Sequence, residues 1–340
     1  MFRRRDVLGG IAGGAMLAGC ASGAGAIAGP SASTGASTGA AASSAAPKLV
    51  YLGQAKVFLL DPAGGTPVTL VDDTPKDGSR ATGVNDGIAV NSRTGQIFWT
   101  NMGRAPERDG YIMRCERDGS AVTTIVKKGK TFTPKQLKID EAAGKLYWSD
   151  REGMAIQRCN LDGSALETIV STGSPVQNKG DQWRWCVGIA IDPARGHIYW
   201  TQKGGDNAGE GTIRRTNLKM PAGATATNRG DIVTLFSRMP EPIDLDLDLA
   251  TRTMYWTDRG DNTVSRAPMD PKPGYDPATR VDRKILVKDL KEAIGVALDL
   301  PSQRMAYTSL GGEVGIAKLD GSEARMLATG QGMLTGIAWA

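Results

Sequence analysis

From Val50 to the C-terminus the chain consists of short runs in which apolar and polar residues alternate, separated by Asn, Asp, Gly and Pro. A period of two predicts strands, and the punctuation predicts tight turns. The runs also recur as a unit. GIAVNSRTGQIFWTN (87–101), QLKIDEAAGKLYWSD (136–150), GIAIDPARGHIYWTQ (188–202), DLDLDLATRTMYWTD (244–258) and GVALDLPSQRMAYTS (295–309) share one layout. Their aromatic slot falls at Trp99, Trp148, Trp200, Trp256 and Tyr307, at spacings of 49, 52, 56 and 51 residues. A repeat near fifty residues is the size of one four-stranded propeller blade.

Within a unit, the first strand ends at Asn91, Asp140, Asp192, Asp248 or Asp299, residues whose side chains accept backbone N–H groups in turns. A second strand, dense in aromatic and β-branched residues, follows. The third runs into Asp-Gly, as in IMRCERDGS (112–120), IQRCNLDGS (156–164) and IAKLDGS (316–322), a hairpin signal. A fourth closes the unit at 122–126, 166–170 and 283–287.

Counting predicts closure. First strands begin near 87, 136, 188, 244 and 295, and a last one, Gly336-Ile337-Ala338-Trp339, has no second strand after it. LVYLG (49–53), KVFLLD (56–61) and PVTLV (67–71) match strands two to four and lack a first. Five whole blades plus one shared by the two ends make an all-β, six-bladed propeller whose terminal segments pair, leaving no open seam. Removal of the last five residues should unzip it.

These repeats resemble the YWTD family, the class B repeats of the low-density-lipoprotein receptor. Tyr255-Trp256-Thr257-Asp258 carries the whole motif. Tyr147-Trp148-Ser149-Asp150 and Phe98-Trp99-Thr100-Asn101 differ conservatively, Tyr199-Trp200-Thr201-Gln202 lacks the acid, and Ala306-Tyr307-Thr308-Ser309 lacks both tryptophan and acid. The resemblance spans 49–340. It implies a six-bladed propeller whose motif residues hold blades together while ligands such as proteins are gripped elsewhere on the ring. The epidermal-growth-factor-like modules that flank such propellers in the receptors are not expected within these residues, which hold only four cysteines.

Ahead of the repeats the chain changes character. Residues 1–19 have the form of an export signal: Arg3, Arg4 and Arg5, then a Gly-rich apolar run, too short to span a bilayer. Arg4-Arg5-Asp6-Val7-Leu8 resembles a twin-arginine motif, and Leu17-Ala18-Gly19-Cys20 a lipobox that would lipidate Cys20. Residues 20–48, almost wholly Ala, Ser, Gly and Thr, read as a flexible tether. The expectation is a monomeric head, lipid-anchored in a bacterial cell envelope on the outer-membrane or periplasmic side. Lys and Arg number 41 against 36 Asp and Glu, and removing Arg3, Arg4, Arg5 and Asp6 leaves 38 against 35. So balanced a head gives no reason to expect nucleic acid.

The chemistry is sparse. His197 is the sole histidine and falls in a turn whose counterparts Gln96, Lys145, Thr253 and Arg304 are all polar. Cys115, Cys159 and Cys186 have no metal-ligand spacing and are expected as buried free thiols. First strands should line the axial channel, where charge departs from the small-residue pattern: Gln136 and Asp244 in the Gly slot, Lys138 and Asp246 in the Ala slot. Lys138 and Asp246 are expected to pair along the channel wall or to serve a polar ligand. At the mouth stand Asp86, Glu241 and Glu292, with Trp183, Arg184 and Trp185 in a loop before a channel strand. Long loops at 172–182, 203–211, 220–229 and 270–281 suggest that one side of the ring is the more elaborated. The preferred reading is a binding or scaffold module that recognises a protein, peptide or glycan through Trp183, Arg184 and Trp185, needing no cofactor. The alternative is a metal-dependent hydrolase or lactonase in which Asp86, Asp244, Asp246, Glu241 and Glu292 imitate a hard-oxygen site for Ca²⁺.

Overall fold

The computed structural model describes residues 47–77, 79 and 81–340. The export signal, Cys20 and the tether as far as residue 46 lie outside the described residues. From Leu49 on, six four-stranded antiparallel sheets form, each built from strands consecutive in the chain except the first. That first blade joins Leu334–Trp339, as its inner strand, to Leu49–Gly53, Lys56–Leu60 and Val68–Asp72. The closure is in register, Leu49 opposite Trp339 and Tyr51 opposite Ile337, and Lys48 and Ala340 exchange both backbone hydrogen bonds.

The other inner strands, Asn85–Val90, Pro134–Asp140, Cys186–Asp192, Pro242–Asp248 and Ala293–Asp299, open blades 2 to 6. All six start on one face of the ring, here the upper face, and each packs beside the next around the axis. The turn acids do what their chemistry requires: Asn91, Asp140, Asp192, Asp248 and Asp299 each accept backbone N–H groups two or three residues on.

Six hydroxyls tie the blades into a ring. Thr100 donates to the carbonyl of Lys135, Ser149 to Gly188, Thr201 to Ile243, Thr257 to Ile294 and Thr308 to Thr335. Each crosses to the next blade's inner strand. In blade 1 the motif hydroxyl is replaced by Leu52, and Thr335 supplies the sixth link by donating to the carbonyl of Asn85. The recurrent inner-strand glycine permits this approach: a Cβ on Gly188 would lie 2.1 Å from the carbonyl of Ile243. Trp99, Trp148, Trp200 and Trp256 are fully buried among these contacts, so each contributes several kcal/mol, about 3–5 on truncation to Ala.

The motif acids are structural as well. Asp150 accepts from the Thr131 hydroxyl at 2.6 Å and from the backbone of Phe132, Thr133 and Gly153. These bonds fix the chain as it passes from blade 2 into blade 3.

The long loops do not elaborate one side, as the sequence suggested; they divide between two tasks. Antiparallel order places 172–182 and 203–211 on the upper face. The other two climb the outer edge of the preceding blade, where Ser171 donates to the Ala226 carbonyl and Ser237 to that of Pro277. Buried Arg229 and Arg280 secure them by donating to the carbonyls of Ile169 and Leu235. Covering an outer strand in this way blunts an edge that would otherwise pair with another chain.

Candidate functional site

Two concentric sets of residues meet where the axis opens on the upper face. Just before the Gly slot of each inner strand stand Asp86, Lys135, Val187, Ile243, Ile294 and Thr335. Just after each motif copy stand Met102, Arg151, Lys203, Arg259 and Leu310. Together with Val84 and Met333 they line a cavity of about 160 Å³. Blades 3, 4 and 5 supply the cations, whereas Met102, Leu310, Met333, Val187, Ile243 and Ile294 make the rest of the wall apolar.

The cations have partners of unequal permanence. Lys135, buried, ion-pairs with Asp86 and lies 3.2 Å from the Met102 sulfur; burial pulls its ammonium pKa down. Arg151 pairs with Glu152 at 2.6 Å. Lys203 and Arg259 share buried Glu241, at 2.8 and 3.2 Å. Two exposed acids reach in from the rim: Asp206 bridges Lys203 at 2.7 Å and Arg259 at 3.2 Å, and Glu292 stands 3.7 Å from Arg259.

Trp185 is wedged between Arg151 and Lys203, whose charges lie 4.9 and 5.6 Å from its ring. Its indole N–H is buried without a partner among the described residues. Trp183 is 51% exposed on the adjoining rim. A groove of about 280 Å³ runs along Trp185, lined by Pro106, Phe132, Met154 and Val176 together with the charged Glu107, Glu152 and Lys179. Arg184, expected among the contact residues, instead binds its own loop: Nε donates to Asp181 at 2.8 Å and Nη1 to the Thr172 carbonyl.

Lower on the axis, Lys138 of blade 3 reaches past Ala190 to Asp246 of blade 5 at 3.3 Å. Asp244 and Asp246 also accept the backbone N–H groups of Val296 and Leu298, so both acids brace blade 5 against blade 6. Gln136 contacts Asp86. Burial pushes the Asp244 carboxyl up to about 7.

The five acids therefore do not converge on one point. Asp86 is held by Lys135, Glu241 by Lys203 and Arg259, Glu292 stays at the rim, and Asp244 and Asp246 join blades. Among the described residues no group of three His, Cys, Asp or Glu is placed to hold a metal. The hard-oxygen arrangement expected of a hydrolase is thus replaced by separate ion pairs. His197 lies at the opposite end of its blade, edge-on to Tyr199, its pKa lowered first by burial. Cys115, Cys159 and Cys186 are free and buried, and burial pushes each thiol up to about 12.

Sequence reasoning missed Met102, Lys135, Arg151, Lys203 and Arg259. A signal existed, since Met102, Arg151, Lys203, Arg259 and Leu310 each follow directly on a motif copy. Only the closed ring shows that those positions face one axis.

No family model matches the chain. It is 40% identical over 266 residues to a 3-hydroxyacyl-CoA dehydrogenase-like protein of Cochliobolus heterostrophus, covering 75% of this chain and 56% of that one. It is 38% identical over 265 residues to low-density lipoprotein receptor-related protein 1 of Pyricularia oryzae, covering 74% of this chain and 84% of the relative. Among solved structures, a chain of a nidogen/laminin complex superposes with a TM-score of 0.63 at 20% identity, covering 87% of this chain and 98% of that one. At that identity the superposition speaks to the fold alone.

Proposed function

The chain belongs to the YWTD-repeat family of low-density-lipoprotein-receptor-related proteins, and from that membership we propose that it is a binding module that seats a segment of a partner protein on its upper face. The observation that carries this reading is the axial cavity, where the cations of blades 3, 4 and 5 meet apolar side chains of blades 1, 2 and 6, with Trp185 wedged against Arg151 and Lys203. Such a wall can hold a side chain by charge and its neighbour by burial, and the Trp and Arg around it are the residue types that dominate binding energy at protein interfaces. The Lys138–Asp246 pair narrows the axis below, which favours approach from the upper face. That a chain of the same fold was solved in a nidogen/laminin complex supports a protein ligand by analogy. The binding itself would involve no covalent chemistry, because the acids and cations at the mouth are engaged with each other.

Capture of cross-linked partners tests this. The double variant Trp183→Ala/Val176→Asp alters two exposed upper-face residues, and Val281→Asp alters an exposed residue of the 270–281 loop as a control. The expected result is loss of the captured partner with the first and retention with the second. Retention by both would refute an upper-face site.

Export and lipid attachment through Cys20 form part of the same proposal, supported by residues 1–20 of the sequence. Cys20→Ala should move the protein from the membrane fraction to the soluble one, and an unchanged distribution would remove that element.

A further inference from the structure

Charge at the mouth is unbalanced below the rim. Lys135, Arg151, Lys203 and Arg259 face three buried acids, Asp86, Glu152 and Glu241. One positive charge is left over, and it lies between Lys203 and Arg259, which have only Glu241 between them. The carboxylate that completes the seat is Asp206, whose Oδ1 bridges Lys203 at 2.7 Å and Arg259 at 3.2 Å. The two partners are differently anchored: the Glu241 side chain is 2% exposed, whereas that of Asp206 is 69% exposed.

The loop bearing Asp206 is suited to leaving. Between Lys203 and Gly211 it contains Gly204, Gly205, Gly209 and Gly211, and residues 206–210 are all exposed. Besides the Asp206 bridges, it is held at its tip to the ring by the Asn207 N–H on Glu241 at 3.2 Å. Its other bonds, Ala208 to Gly205 and Gly205 to Glu210, are internal. The pull of Lys203, then of Arg259 and Arg151, holds the Asp206 carboxyl below its ordinary pKa, so it stays ionised across the neutral range.

We propose that Asp206 is a tethered occupant of a carboxylate seat formed by Lys203 and Arg259, and that an acidic side chain of a partner displaces it. This rests on the upper-face reading and adds a chemical class and a regulatory step to it. The partner segment carries a carboxylate with an aliphatic neighbour, which lies against Met102, Leu310 and Ile294. The intramolecular carboxylate is present at high local concentration. Uncharged ligands gain nothing from displacing it, so a segment offering both features is favoured over one offering either alone.

The test uses the folded protein with N-acetyl-aspartyl-leucinamide as probe and N-acetyl-asparaginyl-leucinamide as its uncharged counterpart. Binding is followed by NMR on the Trp185 indole N–H, assigned by its loss in Trp185→Phe. Asp206→Asn should lower the Kd of the acidic dipeptide about two- to fivefold, the range one exposed ion pair supports. The asparaginyl dipeptide should gain nothing, and the thermal midpoint should fall by no more than about 4 °C. Equal Kd values in the two proteins, an equal gain for both dipeptides, or no binding of the acidic one to either protein would each overturn the proposal. These failures are separable from failure of the broader reading. If Trp183→Ala/Val176→Asp abolishes partner capture while Asp206→Asn leaves dipeptide binding unchanged, only the seat is wrong.

Discussion

Blade 5 departs from blade 3 at two positions, and the consequence can be measured. In blade 3, Asp150 Oδ2 accepts from the Thr131 hydroxyl and the Phe132 N–H, while the Trp148 indole donates to Thr131 at 3.2 Å. The equivalent residues before blade 5 are Met239, which has no hydroxyl, and Pro240, which has no N–H. Asp258 Oδ1 keeps the Glu241, Gly260 and Asp261 N–H groups, but its Oδ2 and the Trp256 indole N–H are buried with no partner among the described residues. Burial then pushes the Asp258 carboxyl from 3.8 up to about 7. The folded state therefore holds the proton more tightly than the unfolded chain. Stability is fullest below about pH 4 and falls as pH rises to about 7, by about 4 kcal/mol from this group, at 1.36 kcal/mol per unit.

Met239→Thr returns the hydroxyl. It removes a buried thioether side chain, which costs about 2 kcal/mol at any pH. In exchange the hydroxyl meets an ionised Oδ2 at pH 8, worth about 1.5–3 kcal/mol, but a protonated one at pH 5, worth about 1. The variant should therefore be less stable than wild type at pH 5, and its stability relative to wild type should rise by about 0.5–2 kcal/mol between pH 5 and pH 8. Urea unfolding at the two pH values and fixed ionic strength measures the difference, from which the pH-independent packing loss cancels. Asp244 titrates in the same range but on the inner strand, and subtracting the wild-type profile removes its contribution. Parallel stability–pH profiles for the two proteins would refute the argument.

Two further outcomes follow from the closure and the axis. Deletion of 336–340 strips the inner strand from blade 1, and should abolish the cooperative unfolding transition and expose strand edges to association; a monomer with an unchanged thermal midpoint would contradict the closure. Lys138→Met leaves Asp246 without its cation, and a cycle with Asp246→Ala should show a coupling of about 1 kcal/mol, the value for a partly solvated pair. Additive losses would mean that the pair does not stabilise the channel.

The blades were legible because their period survives in every copy. A turn Asn or Asp and an aromatic motif slot recur in five copies and the third-strand Asp-Gly in three, and each describes contacts inside one repeat or with its immediate neighbour. The mouth was only partly legible. Asp86, Glu241 and Glu292 were placed at the mouth from their positions before first strands, and they are there. Lys203 and Arg259, on the loops after two motif copies, resemble ordinary solvated rim charges when read along the chain. Along the chain Arg184, between two tryptophans, reads as a contact residue, and only the folded loop shows that the Thr172 carbonyl and Asp181 also engage it.

By itself, then, the sequence determined the number of blades, the order of strands and the fact that the two ends must meet, because these depend on local patterning and on a count. Only the tertiary structure decided which charges share the axis. Closing a ring brings equivalent slots of distant repeats to one point, so Lys138 finds Asp246 two blades away. Lys203 and Arg259, from adjacent blades, close on the same Glu241 and leave one seat that Asp206 fills. Those partnerships depend on angle around the axis and on side-chain reach, quantities that chain spacing does not encode.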